Sequence, residues 1–273
     1  MITRTIPSTG ESIPVIGMGT YNTFDTNNKS AFDSLTAVLN TFYQAGGRLI
    51  DSSPMYGNAE RMVGTLTSKA PFANELFYAT KVWTRGLQQG IKQMDHSMDL
   101  MDRKVIDLMQ IHNLTDWKTH LPVLREWKEA GKIRYIGITH YTFSSYDDLE
   151  KVMRAEPVDF VQFNYSILER EAEDRLLYVA AELGVATLIN RPFGQGRLFT
   201  HLKNEPLPHW AADLSIQSWG AFLLKYIIAH SNVTCVIPAS SNAQHMADNM
   251  EAGEGTLPDE RTREKMAAYV RAL

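Results

Sequence analysis

Four side chains with the chemistry to move protons stand at or just after the ends of short apolar runs. Asp51 ends one such run, Tyr56 lies in the segment that follows it, Lys81 ends the next run, and His112 follows the one after that. Polar groups directly after buried residues are partly desolvated, so they must pair with one another. Groups held in this way have shifted pKa values and are typical of functional sites. We call these four residues the polar tetrad.

The residue types in the tetrad favour proton transfer through the phenol of Tyr56. With an unperturbed pKa of about 10, a tyrosine is a poor acid near neutral pH. A cationic Lys81 within hydrogen-bond reach would lower that pKa, and Asp51 would keep the lysine charged and oriented. His112 can donate to an acceptor oxygen, so a carbonyl between it and Tyr56 would be polarised. The chain shows no nucleophile for that carbonyl, and hydride from a nicotinamide fits the gap.

Bringing distant strand ends together requires a particular scaffold, which the rest of the sequence indicates. Short β-branched runs alternate with longer amphipathic stretches along the chain. The eight predicted strands cover residues 15–19, 49–51, 77–81, 107–111, 135–139, 160–164, 186–189 and 235–238. The eight predicted helices between and after them cover residues 30–44, 59–67, 87–101, 120–130, 146–155, 174–183, 215–230 and 243–250.

Eight strand and helix units in about 250 residues predict a (β/α)8 TIM barrel of the α/β class. Glycines directly after several predicted helices support this register. The runs at 2–6 and 12–16 predict an N-terminal β-hairpin that covers the barrel floor, and residues 258–273 predict a C-terminal helix. No linker-like segment divides the chain, so residues 1–273 are expected to form one domain. Chemistry in such barrels sits at the carboxyl ends of the strands, where the polar tetrad falls.

Composition and charge exclude several other classes of protein. The 273 residues are 44% hydrophobic and 21% charged, and the formal net charge is -4. This charge supplies no general attraction to nucleic acids or anionic membranes. The first residues do not resemble a secretory signal, and no apolar stretch reaches the roughly 18 residues of a membrane span, so a cytoplasmic location is expected. Cys235 is the single cysteine, and neither a disulfide nor a metal site is expected.

The polar tetrad, together with Gly-Met-Gly-Thr at 17–20, resembles the aldo-keto reductase superfamily over essentially the whole chain. Further matching features are a Gly-Ile-Thr at 137–139, Gln162 and a Val-Ile-Pro at 236–238. These lie on different predicted strands, so the resemblance does not rest on one local motif.

The resemblance implies reduction of aldehydes or ketones to alcohols with NAD(P)H. It gives Tyr56 the role of general acid, Lys81 and Asp51 the role of tuning its pKa, and His112 the role of orienting the carbonyl. The partner that it implies is a small-molecule carbonyl substrate. No nucleic-acid or membrane partner is expected, and the chain is expected to act as a monomer.

The resemblance also implies an extended dinucleotide across the barrel mouth, without a Rossmann-type G-x-G-x-x-G motif, which this chain lacks. His140 stands where many members have Asn, and Asn190 stands where an aromatic residue often stacks on the nicotinamide. The implied cofactor contacts are Gly19, Thr20, Tyr21, Asp51, Thr139, His140, Gln162, Asn190, Arg191, Phe193, Gly194, Ser240, His245 and Asn249.

The adenosine end of the implied cofactor site departs from the family pattern. Ala239 and His245 occupy positions where members often have Lys and Arg. A 2'-phosphate carries about two negative charges and prefers Arg to His. The Ser-Ser-Asn at 240–242 can still donate hydrogen bonds at a helix N-terminus. NADPH is therefore the expected cofactor, with NADH as the alternative.

Aromatic residues in loops at or after strand ends are expected to wall an apolar substrate pocket. The members of this set are Tyr21, Phe24, Trp83 and Trp117, with Met55 and Trp210 in similar positions. Packing in the core is the competing interpretation for each of them. Trp127 and Trp219 fall within amphipathic helix periods and are predicted to be packing residues.

Two other classes of function stay open from the sequence. One is a cofactor-binding regulatory subunit with little turnover, because the superfamily also includes proteins resembling channel auxiliary subunits. The other is an unrelated barrel lyase in which Lys81 is a Schiff-base nucleophile. Taken alone, Lys81 is more often a solvent-facing lysine and His112 a hydrogen-bonded core histidine. Their occurrence together at neighbouring strand ends favours a functional site.

Overall fold

The chain begins with a short hairpin and continues as alternating strands and helices. The computed structural model describes residues 1–273, apart from the side chain of Lys29. The hairpin strands are β1 (Thr3–Thr5) and β2 (Ser12–Pro14). The later strands are β3 (Met18–Gly19), β4 (Leu49–Asp51), β5 (Phe77–Val82), β6 (Ile106–His112), β7 (Ile133–Thr139), β8 (Phe160–Asn164), β9 (Ala186–Asn190) and β10 (Cys235–Val236). The helices are α1 (Lys29–Gln44), α2 (Ala59–Thr67), α3 (Leu87–Leu100), α4 (Trp117–Glu129), α5 (Tyr146–Ala155), α6 (Leu176–Glu182), α7 (Arg197–His201), α8 (Trp219–Ile228), α9 (Ala243–Glu251) and α10 (Glu260–Ala272).

The strands β3 to β10 form a closed parallel barrel. They pair side by side in chain order. The first and last strands are joined by backbone hydrogen bonds: Gly17 N–H donates to Val236 O at 2.8 Å, and Val236 N–H donates to Val15 O at 2.9 Å. Nearer the open end, Gly19 N–H donates to Pro238 O at 3.0 Å. The (β/α)8 TIM barrel predicted from the sequence is therefore confirmed, as are its N-terminal hairpin and C-terminal helix.

Helices cover the outside of the barrel, so the strands are buried on both faces. The strand β5 is buried along its entire length, as the apolar runs of parallel strands require. The helix α8 is the most deeply placed, with every residue from Gly220 to Ile228 buried. Within the described part of the chain, no helix combines the length and the apolar character needed to cross a membrane.

The N-terminal hairpin seals one end of the barrel. Ile6 and Ile13 pack in one hydrophobic cluster with residues that open strands, among them Leu49, Phe77 and Phe160. Because the barrel strands are parallel, they all begin at this end and all finish at the opposite one. The hairpin therefore stabilises the floor, and the carboxyl ends that carry the polar tetrad form the open mouth.

Most predicted elements occur with their ends shifted by a few residues. The helix α4 begins at Trp117 rather than at residue 120. Asp116 precedes it with φ of 49°, and its carboxylate accepts bonds from Gly86 N–H at 2.7 Å and the Thr119 hydroxyl at 2.8 Å. A carboxylate beside the first turn stabilises a helix start, which apolar spacing alone does not reveal.

The segment between β9 and α8 differs most from the sequence prediction. It contains α7, which at five residues is too short to show an apolar period. The helix predicted from residue 215 begins only at Trp219. Ser215 has φ of 55°, which is outside the helical region, and the hydroxyl of Ser218 caps the helix by accepting Ala221 N–H at 3.0 Å.

Arg4 of β1 ties the hairpin to the barrel. Its guanidinium donates to the carbonyl oxygens of Ile228 and His230, each at 2.6 Å, and to that of Val233. These carbonyls end α8 and the loop after it, where they would otherwise lack partners. We expect Arg4→Met to lower the free energy of unfolding in urea by about 1–3 kcal/mol. Arg61→Met is the control, since Arg61 is exposed and its guanidinium bonds to no described side chain or carbonyl. Equal losses of unfolding free energy in the two variants would contradict the stabilising role of Arg4.

Candidate active site

A buried ion pair forms the centre of the mouth. Lys81 Nζ donates to Asp51 Oδ2 at 2.6 Å and to the Ser52 carbonyl oxygen at 2.7 Å. Lys81 is 0% exposed, although its residue type is rarely buried. Burial works to lower the pKa of the Lys81 ammonium, but Asp51 and Tyr56 outweigh it, and the pKa lies above its ordinary value. The lysine therefore stays cationic at neutral pH inside the barrel.

Two buried amides complete the surroundings of the Asp51 carboxylate. Its Oδ1 accepts Gln110 Nε2 at 2.8 Å and Gln162 Nε2 at 3.2 Å. The two amides also bond to each other, with 3.0 Å between Gln162 Nε2 and Gln110 Oε1. Gln110 was not among the residues predicted for the site. It lies two residues before His112 on β6, and side chains two apart share a face of a strand, so a polar residue there was the available signal.

Tyr56 stands on the turn after β4, beside the ion pair. Tyr56 N–H donates to the Ser53 carbonyl at 2.9 Å, and the Lys81 ammonium lies 5.1 Å from the centre of the phenol ring. Burial raises the pKa of Tyr56, and the charge of Lys81 works against this rise. Burial has the larger effect, so the pKa of Tyr56 lies above its ordinary value of 10.0. Lys81 thus acts in the predicted direction. The free site holds a protonated phenol.

His112 closes the other side of the mouth, at the end of β6. Its ring meets that of Tyr56 edge-on, with 5.8 Å between centroids. Its Nδ1 lies 3.0 Å from the Ser53 hydroxyl oxygen. Burial, followed by the positive charge of Lys81, lowers the pKa of His112 to about 3. The imidazole is therefore neutral at pH 7.

The structure brings all four members of the polar tetrad to one end of the barrel. They come from the carboxyl ends of β4, β5 and β6, which lie side by side in the sheet. The arrangement places a neutral acid and a neutral imidazole next to a fixed cation. Such a set can protonate and polarise an oxygen atom that lies between Tyr56 and His112.

Polar side chains from the next strands extend the site across the mouth. Gln162 Oε1 accepts the Thr139 hydroxyl and Asn190 Nδ2, each at 3.3 Å. Asn190 Nδ2 also lies 3.3 Å from the carbonyl oxygen of His140, whose own Nδ1 accepts Tyr141 N–H at 3.0 Å. The Asn190 Oδ1 atom is buried and has no donor among the described residues. A buried acceptor without a donor costs free energy, so a ligand N–H suits this position.

A cavity of about 370 Å³ lies beyond β10, at the start of α9. Of the predicted cofactor contacts it brings together Phe193, Ser240, His245 and Asn249; its other lining residues are Phe199, Gly220, Ala239 and Asp248. None of these described lining residues is a lysine or an arginine.

The helix start beside this cavity is already capped from within. Asn242 Oδ1 accepts the N–H groups of Gln244 at 2.8 Å and His245 at 3.1 Å. The Ser240 hydroxyl donates to the Asn242 carbonyl at 2.9 Å. In this structure the Ser240 hydroxyl and the Asn242 side-chain oxygen therefore bond within the helix start, and donation by residues 240–242 to a phosphate stays a prediction.

Four of the remaining predicted cofactor contacts interact with other parts of the protein. A Cβ on Gly19 would lie 2.9 Å from the Ile237 carbonyl oxygen, so barrel closure alone requires a glycine there. The Thr20 hydroxyl lies 3.0 Å from both the Asp51 carbonyl oxygen and the Ser52 hydroxyl. The Arg191 guanidinium lies 4.1 Å from the centre of the Tyr141 ring, and the Gly194 carbonyl accepts Arg197 Nε at 2.9 Å.

Exposed apolar side chains surround the tetrad. Tyr21 is 43% exposed, with its ring centre 5.0 Å from that of Tyr56. Trp83 is 42% exposed, with its ring centre 6.3 Å from that of His112. Met55, next to Tyr56 in the chain, is also exposed. Tyr21 and Trp83 therefore expose aromatic surface beside two members of the tetrad.

The structure does not bring three other predicted wall residues to this mouth. Phe24 is 1% exposed and belongs to the hydrophobic core. Trp117 opens α4 and lines a separate groove with Arg125, Glu156 and others. Trp210 packs against Phe222 of α8 and Tyr269 of α10. The sequence places these rings in or near loops, but the direction in which each one points is set by the packing of the helices.

Comparisons with known proteins agree with this fold. The model of the Aldo/keto reductase family matches residues 15–268. The chain is 26% identical over 268 residues to an aldo-keto reductase of Strobilurus tenacellus, covering 84% of this chain and 79% of the relative. It is 25% identical over 256 residues to a glyoxal reductase of Bacillus subtilis, covering 92% of this chain and 87% of that protein.

Solved structures show the same architecture. An aldo-keto reductase from Klebsiella pneumoniae in complex with NADPH superimposes with a TM-score of 0.82 at 19% identity, over 99% of this chain and 96% of that one. The holo form of an aldo-keto reductase from Bacillus halodurans gives 0.79 at 20% identity, over 99% and 96%. The chain belongs to the aldo/keto reductase family and is an NAD(P)H-dependent oxidoreductase.

The Lys81 and Asp51 pair yields a prediction on stability. Lys81→Met leaves a buried carboxylate without its cation, and Asp51→Asn leaves a buried cation without its anion. We expect each change to lower the free energy of unfolding by about 3–5 kcal/mol, and the double variant to lose less than the sum. Urea denaturation measures all three. The exposed pair of Lys151 and Asp148, at 3.0 Å, is the control, and its double variant should show almost no coupling energy. Additive losses of unfolding free energy at Lys81 and Asp51 would contradict a stabilising interaction between them.

Proposed function

We propose that the protein reduces aldehydes or ketones to alcohols, with Tyr56 as the general acid and His112 as the group that orients the carbonyl. The observation that carries this proposal is the buried Lys81 and Asp51 pair beside a protonated phenol and a neutral imidazole at the open mouth. Both neutral groups keep a proton to present to an oxygen. The lysine supplies the positive charge that an oxyanion needs.

The steps follow from the states of these side chains. His112 donates a hydrogen bond to the carbonyl oxygen and makes the carbonyl carbon more electrophilic. A nicotinamide cofactor held by Thr139, Gln162 and Asn190 would supply the hydride for this carbon. Tyr56 transfers its hydroxyl proton to the oxygen, which completes the alcohol. Lys81 stabilises the phenolate that remains, and Asp51 keeps Lys81 in place.

The residues at the mouth fit a nicotinamide dinucleotide. Asn190 Oδ1 needs a donor, and the carboxamide N–H₂ of a nicotinamide is one. Thr139 and Gln162 lie beside it and are the other groups proposed to hold the carboxamide. The cavity at Ser240, His245 and Asn249 would hold the adenosine end.

We propose NADPH as the cofactor, as in the relative from Klebsiella pneumoniae that was solved with NADPH. NADH is the second candidate, and a specific observation supports it. The adenosine cavity has no lysine or arginine among its described lining residues, whereas His245 and Asp248 face it. These lining residues would stabilise a bound 2'-phosphate less than an arginine would.

The wall of the mouth indicates the substrate class. Tyr21 and Trp83 expose aromatic surface beside Tyr56 and His112, and Met55 is an exposed apolar residue next to Tyr56 in the chain. Apolar walls with a few convergent polar groups favour small molecules with a hydrophobic body. We therefore propose carbonyl compounds whose substituents are apolar or aromatic.

The variant Tyr56→Phe tests the proposal directly. Loss of the acid should lower kcat by about 10²- to 10⁴-fold on activated aromatic aldehydes, because proton transfer to the oxygen no longer has a donor. Cofactor affinity, measured by fluorescence titration with NADPH and with NADH, should stay near that of the wild type. Tyr43→Phe is the matched control, since its hydroxyl bonds to Glu75 instead. Unchanged turnover in Tyr56→Phe would remove the phenol from the mechanism.

The same measurements separate the enzyme from a regulatory subunit. A regulatory subunit would bind NADPH or NADH tightly, and the wild type would oxidise neither above the Tyr56→Phe background across a broad panel of carbonyls. That result would overturn the proposed reduction. Trapping of a substrate on Lys81 with borohydride would indicate the lyase chemistry instead.

The pH dependence of kcat/KM provides a further prediction. Burial lowers the pKa of His112 to about 3, so the imidazole becomes charged only when the pH falls through that value. Burial raises the pKa of Tyr56 above 10.0, so the acid is lost only when the pH rises beyond it. We expect reduction to be nearly independent of these two groups from about pH 5 to 9. An inflection near the ordinary histidine pKa of about 6.5 that disappears in His112→Gln would contradict this assignment.

A further inference from the structure

One buried hydroxyl in the site is not used by the proposed chemistry. Ser53 lies between Asp51 and Tyr56 in the chain and is 0% exposed. Its oxygen is 3.0 Å from Nδ1 of His112. The same oxygen accepts the backbone N–H of Met55 at 3.2 Å. Ser53 was not among the residues predicted for the site.

The hydroxyl proton of Ser53 has one acceptor within reach. Because the side chain is inaccessible to solvent, water cannot accept this proton. Among the described residues, this oxygen forms hydrogen bonds only with His112 Nδ1 and with Met55 N, which is itself a donor. A buried donor left without an acceptor costs about 1–3 kcal/mol. The favoured arrangement has Ser53 donating to Nδ1.

A neutral imidazole carries one proton, on one of its two nitrogens, and the hydrogen bond made by the other nitrogen decides which. If Nδ1 accepts from Ser53, the proton must lie on Nε2. This second nitrogen has no partner among the described residues. An Nε2–H group is then free to donate to a carbonyl oxygen.

We infer that Ser53 is a positioning residue that holds His112 in the Nε2–H tautomer. Its backbone carbonyl also accepts Tyr56 N–H at 2.9 Å, so one residue is bonded to both groups proposed to flank the carbonyl. The role in turnover rests on the proposed reduction, whereas the tautomer itself does not. Ser53→Ala would remove the donor to Nδ1 and allow the proton to move there, which leaves Nε2 as an acceptor that repels a carbonyl oxygen.

Nitrogen NMR of the histidine rings tests the tautomer without turnover. In ¹⁵N-histidine-labelled wild type, His112 should show a protonated Nε2 and an unprotonated Nδ1 near neutral pH. Assignment comes from the signals lost in His112→Gln. A protonated Nδ1 in the wild type would overturn the inference, and this measurement needs no variant at Ser53 to fold.

Three variants of the same loop complete the test. Ser53→Ala should shift both ring signals of His112 towards the other tautomer, and Ser53→Thr, which keeps a hydroxyl, should restore them. Ser52→Ala is the matched control, because the Ser52 hydroxyl bonds to Thr20 and not to His112. Its His112 signals should match those of the wild type. Unaltered signals in folded Ser53→Ala would also overturn the inference.

Kinetics then connect the tautomer to the reaction. Ser53→Ala should lower kcat by roughly tenfold, equivalent to one lost hydrogen bond, while the Kd for NADPH in fluorescence titration stays unchanged. Ser53→Thr should recover kcat. If the wild type shows the Nε2–H tautomer but reduces no carbonyl, the proposed function fails and the tautomer assignment stands. If turnover is normal in Ser53→Ala despite shifted signals, the positioning role fails and the reduction stands.

Discussion

The ion pair of Lys81 and Asp51 is the interaction on which the rest of the site depends. An ammonium group withdrawn from water is tolerated only when its charge is compensated and its protons are bonded. Asp51 and the Ser52 carbonyl meet both conditions, and the amides of Gln110 and Gln162 satisfy the other carboxylate oxygen. A fixed positive charge therefore stands at the base of the mouth, where the charge of a reacting oxygen would develop.

Burial, more than this charge, explains why the neighbouring groups are neutral. Burial raises the pKa of Tyr56 and lowers that of His112, and the cation of Lys81 adds to the effect on His112 while opposing it on Tyr56. The free site consequently carries one cation, one anion and two neutral proton donors. A tautomer fixed by Ser53 would add to this arrangement, because it decides which nitrogen of His112 carries the proton.

The residues that stabilise the barrel floor and the polar residues of the site lie at opposite ends of the barrel. At the floor, Ile6 and Ile13 of the hairpin region pack against the first residues of the strands, and Arg4 bonds to the end of α8. At the mouth, side chains from successive strand ends meet. Parallel strands make this division possible, since all of their carboxyl ends finish on one side. The side chains that pack the floor are therefore separate from those that line the mouth.

The sequence alone determined the order of the barrel strands and of most helices, together with the members of the polar tetrad, because apolar periodicity and polar residues at or just after the ends of apolar runs are local signals. Only the tertiary structure decided in which direction side chains point and which residues distant in the chain come into contact. It placed Phe24 in the core and Trp117 in another groove, and it brought Gln110 to Asp51 and Ser53 to His112. Such contacts join residues far apart in the chain, and no local pattern records which way a loop side chain points once the helices have packed.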